Sequence, residues 1–333
     1  MRAMLGAMRP FFIGLACVWL ALIGAGFVLF SHHEHSYWII TAALPACLLE
    51  FSFYLASVLE RTRKWIGRLQ GPKMIASLLW VSALLPYLIF SLGAGTFRSG
   101  SFLSLAALCG ILAYWYAVLP RHWLCDAGFL LFVAVPVAAR LFGRIYLSPD
   151  PHIHLSIDIL GHLAWIRLAI VALLALRGWQ PGAFGIWPNG REWALGAVYF
   201  LVAIVPLSFV ATELEVYRFA PSHAPWWQVA GMAAAKFFGV LWVVALSEEL
   251  FFRGVIERAL LNSGSSPLLA ILVSAVLYGC SHLWHSHFPN WQDALVTTVL
   301  GIACGMAYAS TRSVRTPMVT HALTVLAALL FFR

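Results

Sequence analysis

With 62% of its 333 residues hydrophobic and only 10% charged, against about 25% charged in a soluble domain, this chain is too apolar to fold in water as a globular protein. Its mean hydropathy of +0.86 and the lack of any long polar stretch exclude a sizeable soluble domain. A formal net charge of +8 would suggest nucleic acid in a soluble protein, but Arg and Lys collecting in the loops on one side of a membrane account for it here, and no nucleic-acid partner is expected.

Arg2 and Arg9 precede an apolar run from Phe11 to Phe30 that is longer than a signal-peptide core, so it reads as a retained first span. Runs long enough to cross, or nearly cross, a bilayer then follow. Together they fall at 10–30, 37–59, 74–95, 101–119, 123–139, 157–176, 193–211, 227–247, 267–284, 292–310 and 317–332. The expected fold is an all-α, polytopic transmembrane bundle of about eleven helices. The basic residues of alternate loops (Arg2 and Arg9; Arg61, Arg63, Lys64, Arg68 and Lys73; Arg121; Arg177 and Arg191; Arg253 and Arg258; Arg312 and Arg315) collect on one side. The positive-inside rule makes that side cytoplasmic, with the N-terminus inside and the C-terminus outside. Six cysteines are scattered among the spans without C-x-x-C spacing and read as small core hydrophobes.

Residues 1–180 hold few intramembrane polar groups, Glu50 being the main exception, and carry no legible motif. Residues 181–226 form a connector and one membrane helix. Phe184-Gly185-Ile186-Trp187-Pro188-Asn189-Gly190-Arg191 is its turn-rich part. Residues 227–333 concentrate the polar groups. Histidines elsewhere have plainer readings. His32, His33 and His35 form a loop. His154, Asp158 and His162 share a helical face after His152, but beside Pro149 and Pro151 they are ordinary interfacial residues. His285 and His287 continue from His282 into a wet loop.

The organising stretch is Ser247-Glu248-Glu249-Leu250-Phe251-Phe252-Arg253-Gly254. Adjacent ionisable residues inside an apolar segment are costly and mark a functional site by default. At about 100° per residue, Glu249 and Arg253 lie roughly 40° apart and Glu248 and Arg253 roughly 140° apart. The i,i+4 pair Glu249–Arg253 is therefore expected to close, leaving Glu248 on another face. Tyr278 and His282 follow at i,i+4 on the next helix, and His321 opens the last one. Counted from the turn Asn262–Pro267, Glu248 and His282 both lie roughly 21–23 Å along antiparallel helices, which sets them level. His321 joins them only if that hairpin projects beyond the membrane.

Glu248-Glu249-x-x-x-Arg253, the aromatic-x-x-x-His ending at His282, and His321 resemble the motifs of the CPBP family of intramembrane proteases. That family includes type II CAAX prenyl endopeptidases and bacteriocin-processing and immunity relatives. The resemblance covers about residues 227–333. It implies peptide-bond hydrolysis on a membrane-bound or lipid-modified protein, in a multi-pass protein of a bacterial inner membrane. It also implies roles: Glu248 as general base on water, His282 holding that water, Glu249 and Arg253 shaping the site, and His321 stabilising the oxyanion, with Tyr278 in support. Two positions depart from the pattern. Tyr278 stands where many members have Phe, and Val325 where they have Asn or Asp, which makes Thr324 the expected substitute donor. Either no metal is bound or a divalent ion such as zinc is held by Glu248, His282 and His321. A catalytically silent relative acting as a membrane chaperone or immunity factor, or a transporter using buried Glu and His, are the alternative functions.

Overall fold

A computed structural model describes residues 12–20, 23–24, 37–66, 71–149, 157–221, 225–285 and 287–332. The described elements are all helices, and eight are long and apolar enough to cross a membrane. Each expected run from 37–59 onward is helical, whereas 10–30 lies largely outside the described residues, as do His32, His33, His35, His152 and His154. Helices Trp123–Ala138 and Arg315–Phe331 are shorter than a full crossing. The chain forms two compact units, Met1–Trp179 and Gln180–Arg333.

In the first unit, α1 (Tyr37–Val58), α2 (Pro72–Gly93), α3 (Ser99–Val118), α4 (Trp123–Ala138) and α5 (Ile159–Leu176) pack together. Their shared apolar core surrounds one buried ion pair. Arg167 of α5 faces Glu50 of α1 in a two-pronged contact, Nε to Oε1 at 2.8 Å and Nη2 to Oε2 at 3.0 Å. A third bond runs from Arg167 Nη1 to Ser82 Oγ of α2 at 2.7 Å. Planar guanidinium matches carboxylate geometry bidentately, so three helices are fixed to one another by a single side chain. Nearer the end of α5, Arg177 pairs with Asp126 of α4 at 2.8 Å. His162, read above as interfacial, turns its Nδ1 to the Asp158 carbonyl oxygen, 2.9 Å away, as a local helix contact.

The second unit holds α6 (Gly190–Glu213), α7 (Trp226–Asn262), α8 (Pro267–Ser281), α9 (Trp291–Thr311) and α10 (Arg315–Phe331). Asn189 and Glu192 close a capping box at the start of α6, as the Asn-Gly-Arg-Glu sequence favours. The same Glu192 carboxylate accepts bonds from Ser313 Oγ at 2.6 Å and Arg315 Nη2 at 2.9 Å. The N-terminal ends of α6 and α10 are thereby set side by side, and α6 packs along both α9 and α10.

Helix α7 runs 37 residues without a break, roughly 55 Å at 1.5 Å per residue, well beyond the ~30 Å apolar thickness of a bilayer. The expected span 227–247 stops at the carboxylates because charges usually end a membrane segment. Here they do not, since Glu249, Arg253 and Glu257 are buried inside the bundle. Wider π-helical turns over Val240–Ala245 and Leu250–Glu257 flank the four-residue α-helical stretch that carries Glu248 and Glu249. Such turns are frequent at functional sites. The helix ends at Gly264, whose φ of 88° suits glycine. Bonds from Ser265 N to Leu260 O and Gly264 N to Leu261 O complete a Schellman close. Ser266 then caps α8, with Pro267 in its first turn.

Helices α8 and α9 approach unusually closely. A Cβ at Gly301 would meet the Ala275 backbone at 2.9 Å, and one at Gly305 would meet Ile271 at 2.9 Å. Small residues permit this approach where no hydrophobic effect drives helices together. The contact fixes the ends of α8 and α9, and with them His282 and Asp293.

Breaking the buried pair of the first unit gives a direct stability test. Glu50→Ala leaves Arg167 charged and unpaired and is expected to cost about 3–5 kcal/mol, whereas the double variant Glu50→Leu/Arg167→Met recovers most of that loss. Thermal unfolding in detergent micelles measures both. A single variant as stable as wild type would show that the pair is not what holds α1, α2 and α5 together.

Candidate active site

The two adjacent glutamates have opposite surroundings. Glu249 is fully buried. Arg253 Nη1 donates to its Oε1 at 3.3 Å, and Arg253 Nε makes an ionic contact with Oε2 at 3.1 Å. Arg253 Nη2 donates to the Gly301 carbonyl of α9 at 2.8 Å, and its guanidinium carbon lies 5.0 Å from the Tyr278 ring centroid. A charged group with no access to water is tolerated only when paired and hydrogen-bonded, and Glu249 and Arg253 meet that condition together.

His321 supplies the third contact. Its Nδ1 lies 2.8 Å from Glu249 Oε1, which assigns a proton to Nδ1. The ring is thereby oriented with Nε2 toward Glu248 Oε2, at 3.8 Å, and the Tyr278 hydroxyl, at 3.5 Å. The Glu192 tether at the start of α10 and the Glu249 contact hold His321 at this position. It sits six residues beyond Arg315, roughly 9 Å along α10.

Glu248 is the carboxylate left over. Its side chain is 30% exposed, its Oε2 is buried without a hydrogen bond among the described residues, and it lines a cavity of about 520 Å³. Tyr278, His282, His321, Thr324 and Val325 line the same cavity, whose remaining wall is mostly apolar side chains of α6, α9 and α10. The sequence-derived residues are thus gathered around one space by three helices, α7, α8 and α10, with Glu249 and Arg253 behind its wall.

Thr324 does not present a free donor. Its hydroxyl donates to the Thr320 carbonyl of its own helix at 2.9 Å, the usual back-bond of a helical threonine. For it to replace the Asn or Asp missing at Val325, this bond would have to be given up. The donor that remains near His321 is the Tyr278 O–H, joined by His321 Nε2 only when that ring carries a second proton.

Asp293 and His285 also line the cavity, and the sequence did not single them out as a pair. His285 Nδ1 and His282 Nδ1 lie 2.7 Å and 3.5 Å from Asp293 Oδ2. Asp293 escapes notice because Asn290-x-x-Asp293 reads as a helix start, which it also is: Asn290 Oδ1 accepts from Asp293 N at 3.1 Å. Burial, with the Asp293 carboxylate adding to it, raises the pKa of the nearby Tyr217 phenol.

Residues 226–327 match the family model described as Type II CAAX prenyl endopeptidase Rce1-like. The match bears out the resemblance of this region to CPBP intramembrane proteases and spans α7, α8, α9 and most of α10. No curated protein and no solved structure matches the chain. The class defined by fold and match is a multi-pass membrane protein whose second unit carries a CAAX-protease-like region.

Removing the cation of the buried clamp should be far more damaging to folding than neutralising the free carboxylate. Arg253→Met is expected to cost about 3–5 kcal/mol by stranding Glu249, while Glu248→Gln should leave the unfolding temperature in micelles near that of wild type. Equal effects of the two substitutions would contradict the division of roles between the glutamates.

Proposed function

We propose that this chain is an intramembrane endopeptidase in which Glu248 activates water. The observation that carries the reading is the contrast between neighbours: Glu249 is consumed by Arg253 and His321, while Glu248 faces the cavity with its Oε2 free of hydrogen bonds among the described residues and 3.8 Å from His321 Nε2. A carboxylate in a mostly apolar, half-enclosed site is suited to general-base work.

The steps follow from the positions. Glu248 takes a proton from a water held between it and His282, and the water oxygen bonds to the scissile carbonyl carbon. The carbonyl π electrons move to oxygen, and that oxyanion accepts hydrogen bonds from Tyr278 O–H and from Nε2–H of His321 in its doubly protonated form, the Nδ1–H staying on Glu249. Glu248 then returns its proton to the amide nitrogen as the C–N bond breaks, releasing an amine and a carboxylic acid. Preorganised donors in a water-poor site are worth more than the same bonds in water. The role of Glu249 and Arg253 is to hold His321 in place. The substrate reading, a membrane-bound or lipid-modified peptide, rests on the matched family and on the apolar cavity wall. A bacterial inner membrane is the proposed location.

A second reading, a silent relative acting by binding alone, draws on Val325 and on the committed Thr324 hydroxyl, which together leave fewer oxyanion donors than the family pattern supplies.

Quantitative mapping of peptide termini in membranes from cells carrying wild type or Glu248→Gln distinguishes the two. Termini that appear with wild type and vanish with the variant are expected, the variant losing about 10²–10⁴-fold in turnover. Once a substrate is in hand, Tyr278→Phe should lower kcat by about 10²–10³-fold as a lost oxyanion donor, and Thr324→Val should leave it nearly unchanged. Identical termini in both cell lines, with a cellular phenotype that survives Glu248→Gln, would move the assignment to the silent relative.

A further inference from the structure

Three metal-ligating side chains converge where α8 ends and α9 begins. His282 opens a single 3₁₀ turn, His282–Trp284, directly before His285, and Asp293 lies in the first turn of α9. Both Nδ1 atoms approach the same Asp293 oxygen, at 3.5 Å and 2.7 Å, and the three donor atoms lie within 4.8 Å of one another. Two ligands of one zinc-sized ion, each about 2.0–2.2 Å from it, can be at most about 4.4 Å apart. Small side-chain rotations therefore bring all three onto a common ion.

Charge supplies the second argument. The Asp293 side chain is 4% exposed, and the cavity it faces also receives Glu248 but no Lys or Arg among its described lining residues. Two carboxylates in a largely apolar space call for positive charge that no lining Lys or Arg supplies. The other candidate cluster, Glu249 with Cys304 and His321, lacks that need, because it is closed and already holds Arg253. The backbone around the first cluster is also held in place. Asn290 bonds Asp293 N through its side-chain oxygen and the His285 carbonyl through its side-chain nitrogen, at 3.1 Å and 3.0 Å. Preset ligands lower the ordering cost of binding.

We propose that His282, His285 and Asp293 form a site for one divalent transition-metal ion, with its open coordination positions toward the cavity. Two imidazoles and one carboxylate suit zinc, with iron(II) the competing ion, and three protein ligands with an open position are the arrangement of catalytic rather than structural zinc sites. Only His282 is shared with the ligand set Glu248, His282 and His321 expected from the sequence. If the ion is bound, His282 holds the water of the proposed reaction through it instead of directly. The site itself does not depend on whether the chain cleaves peptides.

The test uses untagged full-length protein in detergent, stripped with a chelator and titrated with Co²⁺, with bound metal counted by mass spectrometry and visible absorption reporting its coordination. One Co²⁺ per chain is expected. His285→Ala and Asp293→Asn should each weaken binding by at least the roughly 10–100-fold that loss of a mere second-shell partner costs, and Glu248→Gln should keep the stoichiometry. The His285 side chain is 61% exposed, so its variant is expected to fold and carries the test alone if Asp293→Asn does not. No cobalt bound by folded wild type, unchanged binding in His285→Ala, or binding lost in Glu248→Gln and kept in His285→Ala would each overturn the site. Because the readout is bound metal, it stands apart from the fate of the protease reading.

Discussion

One buried ion pair governs the second unit. Glu249 and Arg253 lie in the middle of a 37-residue apolar helix, and each would be prohibitively costly without the other. Their pairing lets α7 continue through the polar motif. The guanidinium then reaches across to the Gly301 carbonyl of α9, and the carboxylate reaches the His321 ring of α10. A local i,i+4 contact thus joins three helices, and the side chains that face the cavity inherit their positions from it. The first unit uses the same device on a smaller scale, with Arg167 linking Glu50 and Ser82. Within an apolar bundle, where packing alone is weakly directional, such hydrogen-bonded charges are what define helix register.

The cavity follows from that register. Its wall is largely aliphatic and aromatic, and its polar groups fall into two sets: Glu248, Tyr278 and His321 in one, and His282, His285 and Asp293 in the other. A chain segment entering this space would meet apolar surface along its length and reactive groups beside it, which is the arrangement expected of a site for hydrophobic substrates. The close crossing of α8 and α9 through Gly301 and Gly305 sets Tyr278 of the first group and Asp293 of the second on tightly packed helices.

Much of this was legible from residue order alone because helical geometry is regular. The 3.6-residue period paired Glu249 with Arg253 and turned Glu248 away, and counting along antiparallel helices led to the expectation that Glu248 and His282 share a depth; both line the cavity. The apolar runs marked the helices, and Asn262–Pro267 marked the turn. What escaped depended on contacts distant in the chain. The hold of His321 on Glu249 spans 72 positions, and no local pattern announces it. Asp293 was hidden behind its own capping role. The Thr324 back-bond was likewise hidden, because a wheel gives direction but not whether a hydroxyl is already donating to the carbonyl one turn back. The apolar run ended at 247, short of the helix that carries it, for a related reason: charge in sequence resembles an exit from the membrane until its partner is seen.

The central claim is that two neighbouring carboxylates differ in availability, and chemical labelling measures that without a substrate. A membrane-permeant carbodiimide reacts with accessible protonated carboxyl groups in apolar surroundings, and its adducts can be mapped by mass spectrometry on the folded protein. Modification of Glu248, with Glu249 untouched until the protein is unfolded, is the outcome this account predicts. Modification of Glu249 in the native state, with Glu248 resistant, would contradict it.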